Sequence, residues 1–417
     1  MTTMGRSDSA DDRLTSLLAR HWTRVGDIRI RLEEAGFSSG HWPTWDELQK
    51  VKVRSKSSLM NGHDSIIPDN LSASAWFTSP GGLIEPLVTA AVDRLAEQLM
   101  QAGFLPSDKV LNGFSYHFTP AGLLFHHALI KIGAQVLPIG PQQTQQAADF
   151  ASRAGATAFV GIATHLRLVM EQMDALPKEL KRPTIRLALA GAEPFAQGIR
   201  QEMLQRWGIQ CLDFYGTAES GIVAMGCAQQ LGLHLHHDVM HEVLDPNTGE
   251  RNPDGMTGEF VMTLEAQELP LLRFGTGDLV HLEHGRCSCG QTSPRLHVLG
   301  RVDDSARVKG MLLHANQLKE FAKRLTDLAA CNLTVTRTDS KDKISVRWRG
   351  QTGCAPISEQ RLATAFKEAC LLRADEWIQD ESLENACFVL SDARQHTQDE
   401  INHLVQISKV TNQVGHT

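Results

Sequence analysis

The sequence predicts an α/β protein in two unequal parts: a large N-terminal domain of helix-covered sheet over residues 1–300, and a small, mobile α+β domain over 301–417. Three observations carry this reading. Apolar runs of strand length alternate with helix-like segments through the first half. Gly-containing turns then separate short strands between Glu242 and His284. After Gly300 the texture shifts to strand, helix, two strands and helix. At 417 residues the chain exceeds one ordinary domain, and a second, smaller unit is the default for that length.

Taken in order, residues 1–70 read as irregular helix and end in the polar stretch Ser55 to Asn70. Ile84, Leu87, Val88, Ala91, Val92, Leu95 and Leu99 recur at spacings of three and four, which predicts an amphipathic helix. Strands are expected at Lys109–Gly113, Gln135–Ile139, Ala158–Val160, Arg186–Ala190 and Ile209–Phe214. Hairpins are expected around Asn247-Thr-Gly249, Pro253-Asp-Gly255 and Gly275-Thr-Gly277. Gly300-Arg-Val-Asp-Asp304 is charged and poor in apolar residues, as a hinge requires.

Composition narrows the function classes. Hydrophobic residues make up 42% of the chain, enough for a substantial core. A formal net charge of -7 provides no broad basic field, so no nucleic-acid partner is expected. No apolar run reaches the length of a membrane span. The polar, acidic start MTTMGRSDSADDR has no signal-peptide core, and a cytoplasmic location is expected. In that compartment the eight cysteines should be free thiols or metal ligands.

Four stretches carry chemistry. In Asp213-Phe-Tyr-Gly-Thr-Ala-Glu219 a strand is expected to run into a turn with Gly216 at its tip. Thr217 and Glu219 then offer a hydroxyl and a carboxylate past the strand end, where open α/β sheets bind ligands. That pair suits a phosphate with Mg²⁺, an oxygen-seeking ion. Gly191-Ala-Glu-Pro194 follows an apolar strand and lets a ligand approach the backbone, unless it is an ordinary loop. Asp278 ends the Gly-rich Arg273-Phe-Gly-Thr-Gly-Asp278 and can accept two ribose hydroxyls; the alternative is a plain hairpin turn. Cys287 and Cys289, with Cys227 and His234 upstream, form a thiolate–imidazole set suited to a closed structural Zn²⁺ site. His236 or His237 could stand in for His234.

These stretches fall in one order, together with Asp245-Pro-Asn-Thr-Gly249, Gly258-Glu259 and Gly300 to Asp304, and there the chain resembles the phenylacetate–CoA ligase-like branch of the adenylate-forming enzymes. The resemblance runs from about Trp76 to Gly310. It implies that Gly191, Ala192 and Glu193 line the adenine side, with Tyr215 stacked on the base beside Gly216. It implies that Thr217 touches the α-phosphate, Glu219 holds Mg²⁺, and Asp278 binds the ribose with help from Arg301. Asp303 would be the hinge about which the small domain turns between adenylation and thioester formation. Where the family's phosphate loop reads Thr-Ser-Gly-Thr-Thr-Gly-Lys-Pro, this chain has Thr78-Ser-Pro-Gly-Gly-Leu-Ile-Glu-Pro86. Ser79 remains as a hydroxyl contact, the lysine is gone, and Glu85 stands nearby. Lys409 is the candidate for the family's C-terminal lysine, without its flanking glycine and arginines.

Two readings follow. In the first, ATP adenylates an aromatic or other hydrophobic carboxylic acid, and CoA or a carrier-protein phosphopantetheine takes the acyl group. Tyr116, His117 and Phe118 would line the acid pocket, their alternative being core aromatics at a strand end. In the second, the scaffold moves acyl groups between CoA and a carrier protein without ATP, or only binds a carrier protein. A homodimer is left open by either.

Overall fold

A computed structural model describes residues 9–392 apart from 56–57, 60–65, 69, 79–83, 178–183, 193–194, 196, 247, 254, 267, 303–304, 310, 339–340, 352, 355, 382 and 384–387. The chain starts with helices Ala10–His21 and Gly26–Glu34. The first opens on a capping box, with Ser9 and Asp12 exchanging side-chain to backbone hydrogen bonds. Its Leu14, Leu17 and Leu18 pack with Ile28, Leu32 and Leu48. Strand β1 (Arg54–Ser55) follows, and then β2 (Ala75–Thr78) pairs antiparallel with β3 (Ile84–Leu87).

The helix expected from Ile84 begins only at Thr89 and runs to Gln101. Pro86 explains the difference. It has no N–H to give a helix, and it disfavours helical backbone at Glu85, so the segment pairs as a strand.

Strands β4 (Lys109–Asn112), β5 (Gln135–Pro138), β6 (Ala158–Gly161), β7 (Leu187–Ala190) and β8 (Gln210–Thr217) form the expected parallel sheet, in the order β5-β4-β6-β7-β8. Alternate side chains feed opposite faces. Val110, Val160, Leu189 and Leu212 pack with helices Thr89–Gln101 and Ala121–Lys131. Leu111, Phe159, Ala188 and Cys211 pack on the other face with helices Thr144–Ala154, Ala163–Asp174 and Gln197–Trp207.

The sheet then changes character within β8. Its first half pairs parallel with β7, up to Ala190 opposite Asp213, and from Phe214 onward it pairs antiparallel with β9 (Gly221–Gly226). Beyond lie β10 (Leu233–Leu235), β11 (Val239–Leu244), β12 (Thr257–Leu264), β13 (Leu271–Glu283) and β14 (Arg295–Arg301), in the order β9-β10-β14-β13-β12-β11, with β1 joining β13. Of the expected hairpins, the stretch holding Asn247–Gly249 and Pro253–Gly255 does connect β11 to β12, but Gly275-Thr-Gly277 is no turn: it lies inside β13, and the β12–β13 hairpin closes earlier, between Leu264 and Leu271. Arg273 on β13, 2% exposed, makes a two-point ion pair with the buried carboxylate of Glu242 on β11, at 2.9 and 3.0 Å. It pins the start of the Gly275–Asp278 segment.

After β14 come β15 (Ser305–Val308), β16 (Met311–His314), helix Ala315–Lys323, β17 (Leu328–Thr338), β18 (Lys341–Gly350), helix Glu359–Cys370, β19 (Glu376–Gln379) and β20 (Phe388–Asp392). Leu318, Phe321, Leu333, Val346 and Phe366 share a core made only of residues from Ala306 onward. The sheet order is β19-β18-β17-β20, and its two outer strands pair parallel to their neighbours. Those outer strands were not expected, being short or late in the chain.

Candidate active site and metal centre

The cavity follows from the seam in β8. Because β7 stops at Ala190 while β8 continues to Thr217, the sheet opens between them. A cavity of about 450 Å³ is lined there by Gly191, Ala192, Tyr215, Gly216 and Asp278, together with Cys227 and His297. Two glycines are required by packing. A Cβ on Gly191 would lie 2.0 Å from the Phe214 ring, and one on Gly216 would lie 2.2 Å from the Gly221 carbonyl oxygen. Gly216 is therefore not a turn tip but a close-approach residue at an irregularity between β8 and β9. The turn itself is Ala218–Ser220.

Asp278 is the centre of a buried polar network. It is 5% exposed; Tyr215 Oη donates to its Oδ2 at 2.6 Å, and Arg301 Nη1 to its Oδ1 at 2.8 Å. Arg301 also donates to the Thr276 carbonyl, and β14 places it opposite Asp278 in register. A carboxylate has about four lone-pair sites, so acceptor capacity toward the cavity remains. The Tyr215 ring meets Phe260 edge-on. Deeper in, Asp213 accepts from Phe195 N and pairs with Arg200; burial still pushes its carboxyl above the usual range. Sequence reasoning assigned no role to Arg200 or Asp213.

The structure therefore brings Gly191, Ala192, Tyr215, Gly216, Asp278 and Arg301 together. Thr217 and Glu219 sit around the turn. The Thr217 hydroxyl is engaged with the hydroxyl and N–H of Ser220, while Glu219 is 4% exposed beside Pro86, Leu87 and Leu264. Tyr116 bonds Asn112 and His126, and burial pushes its phenol up to about 12. His117 is exposed, as is Phe118 at 75%, and none of the three bounds the cavity. Ser79, Glu193, Asp303 and Lys409 lie outside the described residues.

Behind the cavity, the ligand atoms of Cys227, His234, Cys287 and Cys289 all lie within 4.8 Å of one another. Cys227 Sγ is 3.9 Å from Cys287 Sγ, and Cys289 Sγ is 3.4 Å from His234 Nε2. A tight turn aims the two neighbouring thiols inward, with Gly290 N bonded to Cys287 O and Gly290 at φ 97°. Burial lowers His234 and so favours neutral imidazole, and it pushes Cys227 up to about 11. Burial also opposes charge on Cys287, but the Cys289 N–H and neighbouring side chains outweigh it and hold that thiol below its usual range. A thiolate beside a neutral imidazole is the donor state that a soft divalent ion needs.

Comparison with known proteins supplies the family. The AMP-binding enzyme family matches residues 145–264. A phenylacetate-coenzyme A ligase of Escherichia coli is 30% identical over 375 residues, spanning 86% of this chain and 84% of that protein. The chain belongs to the phenylacetate–CoA ligase family. A second member, from Thermus thermophilus, is 27% identical over 74% of this chain and 73% of its own. The fold of this ligase matches a 2-hydroxyisobutyryl-CoA ligase at 17% identity, with TM-score 0.79 over 97% of this chain and 96% of the other in its thioesterification state. The same neighbour in its post-adenylation state scores 0.63, at 18% identity over 98% and 97%. As a member of an adenylate-forming family, the ligase joins a carboxylic acid to coenzyme A at the expense of ATP. Among the described residues no helix is long and apolar enough to cross a membrane.

Proposed function

We propose that this ligase activates an aromatic or other hydrophobic acid, and that the adenylate sits in the cavity at the β7–β8 seam. The observation that carries this is Asp278, buried, oriented by Tyr215 and Arg301, and facing a cavity floored by Gly191 and Gly216. Asp278 takes the ribose hydroxyls, and the glycine backbone leaves room for the base. Arg301 and Tyr215 hold the carboxylate in place, so little rearrangement accompanies binding. Glu219 would hold Mg²⁺, which would offset charge on the α-phosphate during carboxylate attack. The small domain, with its separate core, would turn on Asp303 and bring Lys409 to the site for adenylation.

Cys227, His234, Cys287 and Cys289 would hold one structural Zn²⁺, fastening the β13–β14 loop to β9 and β10. The lysine-free loop is the observation on which the second reading, acyl transfer between CoA and a carrier protein, would rest. Glu85, in the loop's place, is 3% exposed on β3 and cannot substitute for a cation.

ATP–pyrophosphate exchange with a panel of aryl acids, followed by thioester formation with CoA and with carrier-protein phosphopantetheine, tests the proposal. Exchange is expected with at least one aryl acid, slowed because loss of one preorganised donor costs about 2.7–4 kcal/mol. Acyl transfer between thiols with no exchange for any acid would replace the first reading by the second.

A further inference from the structure

A second cluster of metal-ligating side chains neighbours the cysteine centre, its two histidines lining the same cavity as His234. Glu97, His236 and His237 place their ligand atoms within 4.8 Å of one another. Two are already at coordination spacing. His236 Nε2 is 3.5 Å from Glu97 Oε2, while Zn–N and Zn–O bonds of about 2.0–2.2 Å set tetrahedral ligand atoms about 3.3 Å apart. His237, exposed and with its ring 4.1 Å from that of His236, can close the third side by side-chain rotation.

The surroundings are those of a built site. His236 Nδ1 is 2.6 Å from Asp238 Oδ1, and because a carboxylate only accepts, Nδ1 donates there and Nε2 is the nitrogen turned toward Glu97. Asp238 is in turn fixed by Arg94 at 2.7 Å, and Arg94 is anchored on the Ser220 carbonyl. This carboxylate–imidazole arrangement is how proteins orient metal-binding histidines. Gln101 Nε2 holds the other Glu97 oxygen at 3.1 Å. His236 is 8% exposed, and among the described residues its Nε2 meets Glu97 at ion-pair distance without hydrogen-bond geometry.

An independent observation points to a ligand. Gln98 is 1% exposed, and neither atom of its amide has a hydrogen-bond partner among the described residues. It borders a cavity of about 390 Å³ that His236 and His237 also line. A buried amide in that state costs about 1–3 kcal/mol unless water or a ligand satisfies it.

We infer that Glu97, His236 and His237 form a second divalent transition-metal site, of nitrogen and oxygen donors, whose remaining coordination positions open into the Gln98 cavity. Such a donor set suits Zn²⁺ or Co²⁺ rather than Mg²⁺. With protein ligands on one side only, the ion is exchangeable, unlike one enclosed by three thiols and an imidazole.

Equilibrium dialysis of the whole protein against Zn²⁺, followed by metal analysis, tests it. The parent is expected to bind one equivalent that Glu97→Gln and His236→Ala each abolish and that Cys287→Ser with Cys289→Ser retains. Glu97→Gln lies on a half-exposed helix face, so it reports even if His236→Ala fails to fold. Asp238→Asn should weaken the site roughly 10–100-fold through the imidazole it orients. With Co²⁺, the Glu97→Gln variant should lose visible d–d intensity while keeping any thiolate-to-cobalt charge transfer. The inference falls if no bound equivalent depends on Glu97 and His236, or if Co²⁺ spectra of parent and Glu97→Gln coincide. Its failure leaves the cysteine centre untouched, and the reverse holds.

Discussion

The cavity at the β7–β8 seam and the cysteine centre share the antiparallel strands β9 to β14 but bury polar groups in opposite ways. In the cavity each carboxylate has a cation of its own: Asp278 has Arg301 and Asp213 has Arg200. At the cysteine centre three thiols and an imidazole chiefly face one another. The first arrangement is internally balanced; the second gathers donors of the same kind, which the proposed Zn²⁺ would reconcile. Ligand contacts in the cavity should therefore be separable from folding, and those at the cysteine centre should not.

The largest effect tests the second half of that contrast. Cys287→Ser with Cys289→Ser should remove about one equivalent of zinc. It should also lower stability by about 4 kcal/mol if free metal stands about 1,000-fold above its dissociation constant. Metal analysis and urea unfolding check this. Unchanged metal content and unchanged midpoint would show that the four groups are merely neighbours.

His21 supplies the control, a histidine buried with no converging donors. Burial, helped by Arg24 and Arg20, lowers it from 6.5 to about 4. Above pH 6.5 both folded and unfolded states hold it neutral, and stability is complete. Between pH 6.5 and about 4 only the unfolded chain takes the proton, so stability falls by about 3 kcal/mol and levels off below that. His21→Leu should flatten this part of the stability–pH profile. His234 is lowered by burial as well, but its metal is lost with thiolate protonation too, so the parent should retain a steep acid limb after the His21 change. A profile that His21→Leu leaves unaltered would mean that burial alone does not set these imidazoles.

What could be read from the sequence divides along the same line. The strands β4 to β8 were legible because each is a short apolar run between helices; the four groups Cys227, His234, Cys287 and Cys289, which do converge, were picked out for their thiolate and imidazole chemistry, not for the spacing of the cysteines. The Ile84–Leu87 strand was not, because strand and helix spacings coincide over four residues and Pro86 was not weighed against them. Tyr215 and Asp278 were both found as motif residues, but their hydrogen bond spans 63 positions, and nothing local announces it. The Phe214 ring that forces Gly191 is equally non-local. Glu97 escaped for that reason too: it sits on the helix Thr89–Gln101, far in sequence from His236 just past β10, which the sequence offered only as a stand-in for His234.

Asp278→Ala probes the cavity directly. It should weaken ATP or adenylate binding by about 1.5–3 kcal/mol, the range for hydrogen bonds to a charged group, as calorimetry would register. Arg301 keeps its bond to the Thr276 carbonyl, so part of the frame survives. Equal affinity in the two proteins would remove Asp278 from the site.

Tyr215→Phe is the finest cut. The ring would remain against Phe260 and at the cavity wall, so packing is kept while the Oη–Asp278 bond is lost. One hydrogen bond contributes about 1 kcal/mol net, and Arg301 still fixes the other carboxylate oxygen. Two outcomes are distinguishable. If the hydroxyl chiefly orients Asp278, nucleotide affinity should fall by about 1 kcal/mol with little change in folding stability. If it instead competes with the ribose for Oδ2, affinity should rise when it goes. A rise, measured by the same calorimetry, would mean that the unliganded network restrains binding, and the claim that little rearrangement accompanies binding would have to be given up.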